Sequence, residues 1–309
     1  MNGMLLAAGC GERMEPLSSF IPKPALEVLG EPLAASALRH LAPRCRRLVA
    51  NLHRHSEAVR LAISRFALAN GTEVAFSRET VLLGGAGGVA AARPLLGPGP
   101  VLVANTDVWA ELDLDPLVAA SAEDCAVLAL IPHPDPRRWS GVELDPRGGV
   151  TGFVARGEGN DKTYLFTGFQ LLGEQVVAAL PPPPGEFAPV WEELRRRGRL
   201  RGVVVSGAWR EAGTPLAYLE LVLARLGDAS WCHAASLVAA DARLVRSAVG
   251  EGCRVDAGAR LTACVVTGGA AVGAGSELRN CLVAGPVAVP AGAHLEHALV
   301  LPTGITPLR

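Results

Sequence analysis

The sequence predicts an α/β protein in which a Rossmann-like, mixed and mostly parallel sheet with helices on both faces precedes a short left-handed parallel β-helix. From residue 1 to 226, short apolar runs alternate with helical patterns, which is typical of parallel strands joined by crossover helices. From residue 234 to 302, apolar residues recur with a fixed period of 17, and such a period indicates stacked repeats. We therefore expect two domains, residues 1–226 and residues 234–302.

The strands of the first domain are predicted from short apolar runs bounded by glycine, proline or polar residues. They are expected at residues 4–8, 47–52, 73–77, 101–105, 126–131, 141–145, 149–155, 164–172 and 201–206. Helices are expected between them, for example at residues 32–41 and 56–70. In a sheet of this kind, ligands bind beyond the carboxyl ends of the strands.

The tail repeats three apolar positions together, four times each. The three sets are Val238, Val255, Val272 and Val289; Leu244, Leu261, Leu278 and Leu295; and Val249, Val266, Val283 and Val300. Spacings of six, six and five residues close one triangular coil, and its inward side chains stack on those of the next coil. The pattern predicts a β-helix of about four coils.

Composition limits the functions that the chain can have. It has 309 residues, half of them apolar, and a formal net charge of −1, so neither nucleic acid nor an anionic membrane is expected as a partner. No apolar run reaches the roughly 18 residues that a membrane span needs. The seven cysteines form no Cys-x-x-Cys pair, which indicates reduced thiols in a cytoplasmic protein. Because exposed strand edges of a β-helix are commonly covered by another copy, we expect a homodimer or higher homo-oligomer.

The chemistry is indicated by an unusual lysine. Only two of the 29 basic residues are lysines, and Lys23 lies between two prolines, shortly after the turn Gly9-Cys10-Gly11 and Arg13. Glycines allow a tight turn whose N–H groups face an anion, and two cations strengthen such a site. The turn has neither the third glycine of a dinucleotide-binding fingerprint nor the Gly-Lys-Ser/Thr of a P-loop. It therefore predicts a phosphate-binding loop of another kind.

These motifs resemble the sugar-1-phosphate nucleotidyltransferases, also called NDP-sugar pyrophosphorylases. The opening of that family is similar to residues 6–17 (Leu-Ala-Ala-Gly-x-Gly-x-Arg-Met-x-Pro-Leu), Pro22-Lys23-Pro24 and residues 30–33. Further matches follow in the expected order at residues 49–53, 83–88, 103–107, 166–168 and 209–215, so the resemblance covers the whole chain. Residues 51–53, residues 166–168 and the short terminal β-helix are most similar to bacterial mannose-1-phosphate guanylyltransferases.

The resemblance implies an enzyme that joins a nucleoside triphosphate to a sugar 1-phosphate, with Mg²⁺ as cofactor; GTP and mannose 1-phosphate are the first substrates to expect. It implies that Arg13 contacts the departing pyrophosphate and Lys23 the α-phosphate. The implied nucleotide-binding residues are Leu6, Ala7, Ala8, Gly9, Cys10, Gly11, Gly85, Ala86 and Gly87. The implied metal ligands are Asp107 and Glu211, and the sugar-phosphate residues are Glu143, Arg156, Lys162 and Gly168.

Three departures from the family pattern leave an alternative open. Thr106 replaces a glycine and is expected to add a side chain where the substrates meet. Glu211 stands where the family has an aspartate, and Ala155-Arg156-Gly157 replaces Glu-Lys-Pro, which removes a sugar-hydroxyl acceptor. Lys162 lies close enough in sequence to return a positive charge to the sugar phosphate. The alternative is a regulatory or catalytically eroded homologue that binds sugar nucleotides without turnover.

Overall fold

The computed structural model describes all 309 residues, and the contacts within the chain divide them into two compact units. The first unit comprises residues 1–9 and 34–209, and the second comprises residues 10–33 and 210–309. Each unit is built from two segments that are not contiguous in sequence.

Seven helices and thirteen strands precede the tail. The helices are α1 (Ala35–Leu41), α2 (Ser56–Ala69), α3 (Gly84–Leu96), α4 (Asp115–Ala119), α5 (Glu174–Ala178), α6 (Phe187–Arg196) and α7 (Pro215–Leu226). The strands are β1 (Asn2–Leu6), β2 (Glu27–Val28), β3 (Glu31–Pro32), β4 (Leu48–Leu52), β5 (Ala75–Arg78), β6 (Val101–Asn105), β7 (Val108–Leu112), β8 (Ala126–Pro132), β9 (Gly141–Leu144), β10 (Val150–Val154), β11 (Tyr164–Leu172), β12 (Leu200–Val204) and β13 (Gly207–Glu211). None of the helices is both long and apolar enough to cross a membrane.

The first unit is organised by a nine-stranded mixed sheet in the order β10-β9-β11-β6-β1-β4-β5, with β8 between β11 and β12. Strands β6, β1, β4 and β5 are parallel, and β11 runs antiparallel to β6. The chain first adds strands on one side of β1 and then on the other, so the strand order reverses beside β1. Such a reversal is where open α/β sheets bind ligands.

Alternating side chains place helices on both faces of this sheet, because successive residues of a strand point to opposite sides. Met4 faces the layer formed by α3, α5 and α6, while Leu5 faces α1 and α2. Both side chains are completely buried. The first part of the predicted fold class is therefore confirmed.

Two segments of the first domain differ from the elements expected there. The helix expected from residue 32 begins at Ala35, because Glu31 and Pro32 pair with the preceding strand in a hairpin. The glycine-rich segment from Gly84 is the first turn of α3, which a count of glycines alone does not suggest.

The tail in the second unit consists of short strands in three sheets. They are β14 (Trp231–Cys232), β15 (Leu237–Val238), β16 (Arg243–Val245), β17 (Ala248–Val249), β18 (Arg254–Val255), β19 (Arg260–Thr262), β20 (Val265–Thr267), β21 (Ala271–Val272), β22 (Glu277–Arg279), β23 (Leu282–Ala284), β24 (Ala288–Val289), β25 (His294–Glu296), β26 (Ala298–Leu301) and β27 (Gly304–Pro307). The sheets are β14-β17-β20-β23-β26-β27, β15-β18-β21-β24 and β16-β19-β22-β25.

In these sheets, paired residues of adjacent coils are 17 residues apart, which is the predicted period. Val255 pairs with Val272, Leu261 with Leu278, and Val266 with Val283, and the residues of all three sets form one buried core. All pairs are parallel except β26 with the closing strand β27. The β-helix prediction is confirmed, and one sheet carries an additional strand, β14, whose exposed Cys232 does not continue the valine pattern.

Candidate active site

The carboxyl edge of the parallel strands carries the start of the predicted phosphate loop, as far as Gly9, and the predicted metal ligand Asp107. Leu6 at the end of β1 lies opposite Asn105 at the end of β6. Residues 7–9 and residues 106–107 therefore leave the sheet side by side. Gly9 is exposed, and a Cβ added there would meet no atom within 4 Å, so this part of the edge is open to a ligand.

A buried polar chain holds the loop that follows β1. The Ala7 N–H donates to Asn51 Oδ1 at 2.8 Å, and Asn51 Nδ2 donates to Glu79 Oε1 at 2.7 Å. The other carboxylate oxygen of Glu79 accepts the Leu83 N–H at 3.0 Å. Glu79 thus links the end of β4 to the start of α3. The Ala7 N–H, which the sequence would offer to an anion, is occupied by Asn51.

Thr106 does not occupy the space that the sequence comparison suggests. Its side chain is buried, and its hydroxyl donates to the Leu6 carbonyl at 2.8 Å. A glycine could not make this hydrogen bond. The departure therefore ties the ends of β1 and β6 together.

The glycines at the start of α3 have a packing role within the first unit. The Gly87 N–H donates to the Gly185 carbonyl at 2.8 Å, and the Gly85 N–H donates to Glu186 Oε2 at 3.2 Å. A Cβ at Gly85 would lie 2.8 Å from the Phe187 ring, and one at Gly87 would lie 2.8 Å from the Gly185 nitrogen. Close approach of residues 185–187 to α3 therefore accounts for these glycines without a ligand. Ala86 between them is fully buried.

Asp107 is half-buried directly after the end of β6. On the neighbouring strand β11, Gly168 has φ +91°, and a Cβ there would lie 3.0 Å from Asn105 Cβ. Only glycine combines that conformation with such close packing. Gly168 therefore sets the path of the chain beside the residues that lead to Asp107.

The other predicted sugar-phosphate residues lie towards the opposite edge of the sheet. Glu143 is exposed on β9, and β11 separates β9 from β6. Arg156 donates through Nε to the Arg137 carbonyl at 3.0 Å, and the Lys162 side chain is exposed. The structure thus places Gly168 beside the end of β6, Glu143 on β9, and Arg156 and Lys162 in the segment between β10 and β11.

The second unit joins the two predicted charged residues that are furthest apart in sequence. Arg13 Nη2 donates to Glu211 Oε1 at 2.6 Å; the Arg13 side chain is 64% exposed and that of Glu211 is 9% exposed. Gly213 makes room for the carboxylate, because a Cβ there would lie 2.9 Å from Glu211 Oε1. An exposed guanidinium is thus paired with a shielded carboxylate.

The other residues predicted to bind phosphate in the second unit are Cys10 and Gly11, which precede Arg13, and Lys23, which follows it. Half-buried Cys10 leads to Gly11, whose φ of +66° turns the chain into a short 3₁₀ turn containing Arg13. Half-buried Lys23 lies between two buried prolines and begins another 3₁₀ turn. Each proline fixes its own φ angle, so the two prolines restrict the backbone from which the Lys23 side chain extends.

The two predicted metal ligands, Asp107 in the first unit and Glu211 in the second, are carboxylates of the kind that binds magnesium. No group of three or more His, Cys, Asp or Glu side chains is arranged to hold a metal ion. Mg²⁺ is commonly bound by one or two carboxylates together with substrate phosphates and water. Asp107 and Glu211 supply hard oxygen donors of that type.

Sequence reasoning missed Asn51 as an organising residue and did not single out Glu79. Asn51 is a polar residue inside the otherwise apolar strand β4, and it is almost completely buried. A buried polar side chain requires hydrogen-bond partners, which was the available signal. Glu79 follows β5 among other polar residues, so nothing in the sequence indicates that it is buried.

Comparisons with known proteins agree with this architecture. Residues 2–226 match the family described as nucleotidyl transferase, and residues 229–298 match the family described as GlmU-like, C-terminal hexapeptide. The chain is 32% identical over 237 residues to the N-acetylmuramate alpha-1-phosphate uridylyltransferase of Caulobacter vibrioides, a match that covers 73% of this chain and 97% of the relative. The Neisseria meningitidis protein of the same name is 32% identical over 223 residues, covering 69% and 94%.

A mannose-1-phosphate guanylyltransferase catalytic subunit beta from Drosophila melanogaster is 24% identical over 224 residues, which cover 71% of this chain and 61% of the relative. Among solved structures, HddC from Yersinia pseudotuberculosis has a TM-score of 0.61 at 21% identity, covering 72% of this chain and 97% of that chain. This last likeness is one of fold.

Proposed function

Because the chain belongs to the nucleotidyl transferase family, we propose that it is a sugar-1-phosphate nucleotidyltransferase that forms an NDP-sugar and pyrophosphate. The observation that carries the proposal is the sheet edge at which the open loop after β1 lies beside the residues leading to Asp107. That edge is where this type of sheet accepts a nucleotide.

The reaction forms one phosphorus–oxygen bond and breaks another. An oxygen of the sugar 1-phosphate attacks the α-phosphorus, and the bond to the β-phosphate breaks with release of pyrophosphate. No covalent intermediate with the protein is needed, so positioning and stabilisation of negative charge supply the rate enhancement. Lys23 contacts the α-phosphate in this proposal, and Arg13 turns from Glu211 to the departing pyrophosphate.

Asp107 and Glu211 would hold Mg²⁺, which neutralises phosphate charge when it is bound. When Arg13 leaves the ion pair, its guanidinium would turn to the pyrophosphate and the Glu211 carboxylate would take part in holding the metal. The residues from Leu6 to Gly11 would follow the triphosphate, and residues 85–87 would border the base. Gly168 would lie by the sugar phosphate, with Glu143 on β9 and Arg156 and Lys162 between β10 and β11 as its other contacts.

For the substrates, the relatives at 32% identity suggest UTP with N-acetylmuramate 1-phosphate as the first pair to test. GTP with mannose 1-phosphate, the pair expected from the sequence motifs, is the second, supported by the relative at 24% identity. We propose that the protein works as a cytoplasmic homo-oligomer, and its seven cysteines are all unpaired, which suits a reducing compartment.

The test is pyrophosphate release from a matrix of UTP, GTP, TTP and ATP against several sugar 1-phosphates with Mg²⁺, with mass detection of the NDP-sugar. Asp107→Asn is expected to lower turnover at least about 100-fold. Glu57→Gln, an exposed carboxylate in the same unit, is the matched control and should leave turnover unchanged. Nucleotide binding without turnover on any pair would favour the regulatory alternative.

A further inference from the structure

We propose that Glu27 is a positioning residue that fixes residues 10–33, the segment carrying Arg13 and Lys23, against the β-helix. The inference rests on the proposed function, because it assigns the β-helix a part in arranging the triphosphate-binding residues. All the contacts that support it lie within the second unit.

Two hydrogen bonds join Glu27 to elements from the far end of the chain. Its carboxylate Oε2 accepts the Glu251 N–H at 3.1 Å, in the turn that follows β17. Its backbone carbonyl accepts the hydroxyl of Tyr218 in α7. Glu27 is therefore held on two sides, through its side chain by the β-helix and through its main chain by α7.

Close contacts between a glycine and a side chain join the segment to the tail on either side of Glu27. A Cβ at Gly268 would lie 2.6 Å from Ile21 Cδ1, and one at Gly285 would lie 3.5 Å from Phe20 Cβ. Beyond Glu27, the Trp231 ring packs against Gly30, where an added Cβ would lie 3.2 Å from the ring. The segment thus contacts successive coils along its length, with Glu27 as its charged anchor.

Global stability is a poor explanation for a carboxylate at this position. Burial raises the pKa of the Glu27 carboxyl above its ordinary value of 4.5, and the Glu251 N–H, nearby His233 and the backbone of Gly30 only partly oppose that effect. The Glu251 carboxylate acts in the same direction as burial. A desolvated charge costs folding free energy unless its partners compensate. The hydrogen bond from the Glu251 N–H instead fixes the position of the Glu27 carboxylate relative to the β-helix.

Tyr218 connects this anchor to the Arg13–Glu211 pair. The Tyr218 side chain is fully buried, and α7 begins at Pro215, shortly after Glu211. Arg13 belongs to the segment that Glu27 anchors, and Glu211 to the chain that leads into α7. The Glu27–Tyr218 contact therefore braces both partners of the 2.6 Å ion pair.

The test uses the full-length chain with substitutions on both sides of the anchor. Glu27→Ala removes the acceptor for the Glu251 N–H, and Glu27→Gln retains an acceptor oxygen. Gly250→Ala disturbs the same contact from the β-helix, because its Cβ would lie 2.4 Å from Glu27 Oε2. Gly250 does not have a positive φ, so alanine suits its backbone. Glu220→Ala, an exposed carboxylate on α7, is the matched control.

Hydrogen exchange and steady-state kinetics are measured on each variant. Glu27→Ala and Gly250→Ala are expected to speed amide exchange within residues 10–33 about 10- to 100-fold. They should raise KM for the triphosphate by a similar factor, with less than about a threefold change in KM for the sugar phosphate. Glu27→Gln should stay within about threefold of wild type in both measurements, as should Glu220→Ala.

Unchanged exchange in both Glu27→Ala and Gly250→Ala would overturn the inference, whatever the activity. Faster exchange with an unchanged KM for the triphosphate would also overturn it, because the anchor would then be structural only. Faster exchange in a protein whose wild type turns over no substrate pair would reject the proposed function but support the attachment of residues 10–33 to the β-helix.

Discussion

Replacing Glu79 by alanine should destabilise the first unit by about 3–6 kcal/mol. The carboxylate accepts two hydrogen bonds, from Asn51 Nδ2 at 2.7 Å and from the Leu83 N–H at 3.0 Å, and the residue is only 4% exposed. A hydrogen bond to a charged group contributes about 1.5–3 kcal/mol, and the buried Asn51 donor would be left without this acceptor. Glu79→Gln should cost less, about 1–3 kcal/mol, because one acceptor oxygen remains.

Urea unfolding followed by tryptophan fluorescence can measure this change. Trp109, Trp139, Trp191 and Trp209 belong to the first unit, and Trp231 is the one tryptophan of the second. In a Trp231→Phe background, the signal therefore reports on the first unit. Thermal unfolding of the same proteins should show a fall in Tm of at least about 6 °C for Glu79→Ala.

Glu57→Ala is the control, because Glu57 is an exposed carboxylate that pairs with Arg60 on α2. An exposed pair of this kind contributes at most about 1 kcal/mol. If Glu79→Ala unfolds within about 1 kcal/mol of Glu57→Ala, the buried chain from Ala7 to Leu83 is not a stabilising network, and the reasoning from hydrogen bonds is refuted.

Four further outcomes test other parts of the structure. Gly168→Ala should lower stability by about 1–3 kcal/mol in thermal unfolding, because its φ of +91° and the 3.0 Å approach to Asn105 exclude a side chain. Leu261→Ala should cost about 2–5 kcal/mol in urea unfolding, since Leu261 is buried between coils. Arg13→Ala should reduce pyrophosphate release about 100-fold or more, because the guanidinium would no longer reach the departing pyrophosphate. The raised pKa of Glu27 means that the folded state holds the proton of this carboxyl more tightly than the unfolded state does. The contribution of Glu27 to the free energy of unfolding should therefore fall as the pH rises from 4.5 through that pKa. Glu27→Gln should remove this pH dependence, and a stability–pH curve that the substitution leaves unaltered would contradict the prediction.

The sequence was most informative where the pattern is periodic or local. The 17-residue repeat of the tail appears directly as register, for example Leu261 opposite Leu278, because every coil must supply the same inward side chain. The ends of β1 and β6 were also close to expectation, since apolar runs and the order of motifs fix them. The ion pair of Arg13 with Glu211 brings together two residues that the sequence had already selected as functional.

Contacts between single polar residues far apart in the chain were not predictable in this way. Glu79 and Asn51 form one buried network, but neither belongs to a repeat, and their partnership depends on the order of β4 and β5. The hydrogen bond of Thr106 was likewise not predictable from the sequence. A comparison of residue types suggested crowding at the substrates, whereas the hydroxyl has an internal acceptor at Leu6.

The discontinuous composition of the second unit has a consequence for the protein's synthesis. Residues 10–33 leave the ribosome early, but the chain that they pack against begins at residue 210. At roughly 5–20 residues per second, the early segment waits about ten to thirty-five seconds for its permanent neighbours. Until then Ile21 and Phe20 lack the tail glycines, Gly268 and Gly285, that they pack against in the folded protein. Translation that stops early would therefore release chains whose Arg13 and Lys23 have no β-helix to hold them.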